Sequence, residues 1–219
     1  MSSEWVAWHE GYAPGQPLTL RLQVVQRELR AALDAAPLGT LRLISMCAGD
    51  GRDVLGMLPQ HPRRDDVGGL LVELDPSLAA TAATRAAELR FTSLEVRRAD
   101  AGNTDAFAGA VPAHIVMVCG VFGNITDADV KNTVDHLAEL STPGATVIWT
   151  RGTFEPDLTP AIREWFRDAG FDELNFTRIP DTTAAVGAHR LRATPRDYKP
   201  GVQLFTFLEK ELRPSNRGG

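Results

Sequence analysis

Cysteine is scarce in this chain of 219 residues, with only Cys47 and Cys119 present. Both sit in apolar, strand-like surroundings, which excludes a disulfide framework and leads to the expectation of a reducing, cytoplasmic setting. Long hydrophobic runs are missing too. The longest, "IVMVCGVF", is too short to cross a bilayer, so no membrane partner is expected. The opening "MSSEWVAWHEGY" lacks the basic start and apolar core of a signal peptide. Positive charge is in deficit: the formal net charge of −5 gives nucleic acid no general attraction to the surface. Nor do the five histidines and two cysteines show close metal-ligand spacing, so no metal site is expected.

What is present is an alternation of strand-like and helix-like segments. Leu18, Leu22, Val25, Leu29 and Leu33 form an amphipathic helical stripe. Strands are expected at 40–45, 69–74, 94–99, 114–121 and 143–150, with helices from Asp53 to near Pro59, after Asp75, over 127–140 and over 157–170. "ELNFTRI" and "VQLFTFLEK" alternate apolar and polar residues, as half-exposed antiparallel strands do. Between them, Pro180 to Gly201 reads as a long polar loop. The pattern predicts an α/β fold: an open, mostly parallel, doubly wound sheet with helices on both faces and an antiparallel pair at its end. No repeat or linker divides it. A single domain over 18–212 is expected, with an aromatic N-terminal segment (1–17) and a disordered tail (213–219).

In such sheets ligands bind at the carboxyl ends of the strands, near the point where the strand order reverses. The first strand ends in "SMCAGDGRD", where Gly49 and Gly51 allow close backbone approach and the next helix offers free N–H groups. Glu73 ends the second strand, placed to accept hydrogen bonds from both hydroxyls of a ribose. Asp100 follows the third and could accept from an exocyclic amine. The fourth ends in the glycine-rich "CGVFGN". A dinucleotide fingerprint would need a third glycine where Val54 stands, and would not ask for an acid at Asp100.

On these motifs the chain resembles the class I S-adenosylmethionine-dependent methyltransferases over roughly Leu41 to Leu208. The resemblance implies a three-layer, Rossmann-like fold with a seven-stranded sheet, and S-adenosyl-L-methionine as cofactor. By that likeness "CAGDG", with Cys47, Ala48, Gly49 and Gly51, wraps the methionine part, and Arg21 and Arg52 are candidates to meet its carboxylate. Glu73 and Leu74 then hold the ribose, and Asp100 and Ala101 meet the adenine. Cys119, Gly120 and Val121 line the reacting centre. Two positions depart from the family pattern: Ser45 stands where an acid is usual, and Cys47 where glycine is usual. A cysteine replaces that glycine only if its φ is negative.

The acceptor is expected to be a small molecule, met by Trp5, Trp8, Tyr12, Phe122, Asn124, Arg151 and Arg190. Trp5, Trp8 and Tyr12 share one helical face, as a lid or as a staple on the core. His189, and after it His9, are candidate general bases. With Arg192, Arg196 and Lys199, His189 and Arg190 form a basic patch that reads either as a solvated loop or as a closing element. Asp53 and Asp75 are expected as helix N-terminal charges. A nicotinamide-dependent oxidoreductase, and a non-catalytic scaffold binding protein or RNA, are the alternative readings.

Overall fold

The computed structural model describes residues 15–213. Its sheet has seven strands: β1 (Leu41–Ser45), β2 (Val67–Glu73), β3 (Leu94–Arg98), β4 (Ala113–Val118), β5 (Ser141–Gly152), β6 (Phe171–Arg178) and β7 (Ala184–Leu191). Their order is β3-β2-β1-β4-β5-β7-β6. All pairs from β3 across to β5 are parallel, and β7 pairs antiparallel with both β5 and β6. The order reverses between β1 and β4, which marks the carboxyl ends of those strands as the place for a ligand.

The period of two along each strand sorts its side chains onto two faces. Leu43, Leu71, Met117 and Ile148 face one layer, built with helices α1 (Pro17–Ala35), α2 (Arg52–Leu55) and α3 (Pro76–Glu88). Ile44, Val72, Val118 and Trp149 face the other, with α4 (Asp127–Leu140) and α5 (Thr159–Asp168). Strands β1, β2 and β4 are apolar nearly throughout because both of their faces are covered. Asp75 caps α3 as its sequence position suggests, accepting from the backbone N–H of Ser77 at 2.9 Å and of Leu78 at 3.1 Å.

Three expected elements differ. The helix expected from Asp53 to Pro59 is a single turn, α2, followed by a 3-10 turn at Leu58–Gln60. Gly56 fits there only because it lacks a Cβ, which would lie 2.5 Å from the Arg52 carbonyl oxygen. The polar loop expected over 180–201 contains β7, which forms a hairpin with β6. Its small residues Ala185, Gly187 and Ala188 conceal a strand that is buried along most of its length.

"VQLFTFLEK" is no strand. Leu204 and Phe205 are consecutive and both buried, which a pleated strand with one covered face does not permit. The segment is instead a strap along the second layer. Tyr198 donates its hydroxyl to the Thr104 carbonyl, the Leu204 N–H bonds Gly102 O at 2.7 Å, and the Leu208 N–H bonds Asn124 O at 2.8 Å. Asn132 Nδ2 donates to the carbonyls of Gln203 and Leu204. Arg196 and Lys199 reach the buried Glu139 at 3.5 and 3.3 Å, so these members of the basic patch anchor the strap.

Candidate functional site

A cavity of about 320 Å³ opens at the carboxyl ends of β1 to β4, where the strand order reverses. Of the residues expected around a cofactor, Arg21, Cys47, Ala48, Gly49, Arg52, Glu73, Leu74, Asp100, Ala101, Cys119 and Gly120 line it. Asp53, Asp75, Pro76, Leu78 and Phe207 line it as well. The two aspartates serve helix ends and the cavity together. Phe207 arrives on the strap, and its only sequence signal is the aromatic pair in "LFTFL".

Glu73 fixes the floor. One carboxylate oxygen accepts from the Gly49 N–H and the other from the Asp75 N–H, each at 2.8 Å. The side chain therefore ties the turn after β1 to the turn after β2. Ionised, it has about four acceptor positions, so lone pairs remain on both oxygens after those bonds. Asp100 is held in turn by the Gly102 N–H, which bonds one of its oxygens at 2.8 Å. Leu74, 58% exposed beside these acids, gives the cavity an apolar wall.

Gly49 and Gly51 have φ of +59° and +75°, the left-handed region that glycine enters without strain. Cys47 has φ of +52°. The requirement of a negative φ for this cysteine is thus overturned: it takes the glycine conformation itself, at a cost of about 1–2 kcal/mol. Burial pushes its thiol pKa well up, and the charges of Glu73 and Asp100 add to that. Burial does the same to Cys119. Neither sulfur is a thiolate near neutral pH.

A second hollow of about 190 Å³ adjoins the first. Arg21, Gly120 and Asn124 line both. Asn124 closes the turn after β4 by donating its side-chain amide to Gly120 O at 2.7 Å, and Thr150 accepts from the Gly120 N–H at 2.8 Å. Arg151, at the end of β5, also lines the hollow, with its side chain 4% exposed. It donates to the Phe122 carbonyl and reaches Asp127 at 3.4 Å. Burial lowers its pKa and Asp127 partly offsets that, yet a guanidinium in a protein stays charged.

Several expected residues lie elsewhere. Gly51 and Val121 do not line either space: Gly51 caps α2, where a Cβ would meet Leu55 Cδ1 at 2.8 Å, and Val121 is fully buried. Phe122 is a core residue, 5.9 Å from the Trp149 ring, rather than an acceptor contact. Arg190, expected to meet the acceptor, stands opposite Thr146 and Asp172 toward the other edge of the sheet and lines neither space. The base role of His189 is likewise excluded by its position. Ala184 marks the carboxyl edge of the sheet opposite Gly152, and His189 lies roughly 17 Å further along the strand. It is 1% exposed, packed edge-on to Phe166 at 4.2 Å, and burial lowers its pKa to about 4. Trp5, Trp8, His9 and Tyr12 lie outside the described residues. Among the described residues no cluster of histidine, cysteine or acid is placed to hold a metal ion, and no helix is long and apolar enough to cross a membrane.

No family model and no curated protein matches the sequence. Solved structures do match the fold. A magnesium protoporphyrin IX methyltransferase from Synechocystis PCC 6803, solved with bound SAM, aligns with a TM-score of 0.67 and 14% identity, covering 87% of this chain and 92% of that one. The 1,6-didemethyltoxoflavin-N1-methyltransferase from Burkholderia thailandensis, with bound 1,6-didemethyltoxoflavin and S-adenosylhomocysteine, aligns at 0.61 with 16% identity over 87% and 88%. An RNA methyltransferase from Salinibacter ruber, in complex with S-adenosyl-L-homocysteine, aligns at 0.53 with 20% identity over 81% and 96%. The chain has the class I S-adenosylmethionine-dependent methyltransferase fold.

Proposed function

We propose that the protein is an S-adenosyl-L-methionine-dependent methyltransferase acting on a small-molecule acceptor and leaving S-adenosyl-L-homocysteine. The observation that carries this is the 320 Å³ cavity in which Gly49, Glu73 and Asp100 meet. Its donor and acceptor set fits that cofactor. Glu73, held by two backbone N–H groups, keeps acceptor positions for a pair of ribose hydroxyls. Asp100 keeps one oxygen beyond its bond to Gly102 for an adenine amine, with Leu74 and Ala101 as apolar walls. The turn from Cys47 to Gly49 gives backbone access to the amino-acid end, with Arg21 and Arg52 on the same wall.

When bound, the cofactor supplies an activated methyl group, so the chain's own task is to orient the acceptor and exclude water. The shared wall at Gly120 and Asn124 is where donor and acceptor would meet. A hollow of about 190 Å³ and a net charge of −5 favour a small acceptor over nucleic acid. Val54, in place of a third glycine, disfavours a nicotinamide cofactor. The free cysteines suit a cytoplasmic setting.

Glu73→Gln is the direct test. It keeps the shape but weakens the carboxylate's hold on hydroxyls and on the two N–H groups. Titration calorimetry with S-adenosylhomocysteine is expected to show at least a tenfold loss of affinity, with the circular dichroism spectrum unchanged. Undiminished binding, or none by the parent protein, would overturn the assignment.

A further inference from the structure

The two spaces differ in sign of charge. Asp53, Glu73, Asp75 and Asp100 line the larger one beside Arg21 and Arg52. The described lining of the smaller one holds Arg21 and Arg151 with no acid, imidazole or lysine, among Pro17, Leu18, Phe154, Asn124, Thr150 and others. We propose that the smaller hollow takes a small carboxylic acid with an apolar body and that the carboxylate itself is methylated, giving a methyl ester. This rests on the reading of the larger cavity as the methyl-donor site.

Arg151 is the specific feature. The Phe122 carbonyl and Asp127 engage two of the five N–H groups of its guanidinium, one on each terminal nitrogen, and so fix the plane of the fork. The remaining donors suit a carboxylate, whose geometry a guanidinium matches better than any other side chain does. Asp127 is 59% exposed, so its partial neutralisation of Arg151 is weakened by solvent. Pro17, Leu18 and Phe154 supply an apolar surface for the body of the acid. At 190 Å³ the hollow is smaller than the roughly 300–1,000 Å³ of sites for drug-sized ligands, which limits the body to about one ring or a short chain.

The chemistry agrees with that lining. A carboxylic acid with a pKa of about 4 arrives already ionised at neutral pH, so no proton has to be removed. One oxygen held by Arg151 leaves the other to form the new O–CH3 bond. The methyl–sulfur bond breaks as that bond forms, and its electron pair stays on sulfur. A carboxylate and a sulfonium are thereby consumed, and a neutral ester and a neutral thioether result. The ester carries no charge for Arg151 to hold, so product release follows from the same residue that captured the substrate.

The test uses the full chain with methyl-labelled S-adenosylmethionine and a panel of benzoate, cinnamate and hexanoate, set against phenol, aniline and hexylamine. Label is expected in the acids, released as methanol by mild alkali. Binding of the same acids is measured separately by calorimetry on protein saturated with S-adenosylhomocysteine. Arg151→Gln should lower carboxylate affinity at least tenfold while S-adenosylhomocysteine affinity stays within twofold. If that buried change unfolds the protein, Thr183→Glu on the exposed rim of the hollow should give the same split by repelling the anion. Label found only in alkali-stable products, or no acid bound by the saturated protein, overturns the proposal and leaves the donor site standing. Failure to bind S-adenosylhomocysteine at all overturns the donor reading first.

Discussion

His189 shows how far a single residue's meaning depends on its surroundings. In the sequence it heads a run of basic residues, but in the fold its ring is wedged between Phe166 and Trp149. Glu173 lies 4.0 Å from Nε2 and raises the affinity for a proton, while burial lowers it by more, to a pKa of about 4. The contact with Glu173 is therefore not an ion pair near neutral pH. Between about pH 6.5 and 4 the unfolded chain takes up a proton that the folded chain refuses. Stability from this residue is complete above that window, falls as the pH drops through it, and levels off below. The total is about 3 kcal/mol, of which about 1 kcal/mol is lost between pH 7 and 5.5. Urea unfolding of His189→Leu should show a shallower loss over that interval than the parent, with S-adenosylhomocysteine affinity kept. An identical pH slope would assign the acid sensitivity to other groups.

The strap teaches the corresponding lesson for elements. Its hydrogen bonds go to loops, to the 3-10 turn that begins at Thr104 and to α4 rather than along a neighbouring strand, with one isolated bridge between Asn103 and Gln203. Losing the Asn132 amide would leave the carbonyls of Gln203 and Leu204 without that donor, at a cost of about 1–2 kcal/mol. Asn132→Ala is expected to speed hydrogen exchange at the amides of Leu204 and Leu208 while central amides of β4 keep their protection. Equal acceleration throughout the sheet would mean that the strap is not a separate element. The central parallel strands were located correctly because burial on both faces leaves an apolar run, and the edge strand β3 because its residues alternate. Periodicity misplaced the last antiparallel strand, since Gly187 and Ala188 contribute little hydrophobic signal while "VQLFTF" imitates alternation. Glu73 was legible because an acid closing an apolar strand has few structural reasons to be there, and Asp100 because it follows the end of the next parallel strand. Phe207 was not, because only tertiary contacts carry it to the cavity.

For the molecule as a whole, both core layers hang on the same strands. Leu43 belongs to one layer and Ile44 to the other, and the same division runs through β2, β4 and β5. Neither layer can lose its packing while the shared backbone stays in register. One cooperative unfolding transition is expected, with the near-ultraviolet signal of buried Trp149 and the far-ultraviolet backbone signal giving coincident midpoints. Separate midpoints would divide the chain into more than one unit. The open sheet also explains why the lining of the larger cavity was easier to foresee than that of the smaller hollow. The former stands at consecutive strand ends, while the latter comes together only where β4, β5 and the start of α1 converge.

Phe207, finally, gives the cavity a place in time. Every strand of the sheet precedes it in the chain, and it reaches the cavity only after the strap has crossed the second layer. During synthesis the sheet's residues leave the ribosome before this wall does. A nascent chain can acquire its architecture first and its complete binding chamber last, so that ligand capture reports on a translated strap.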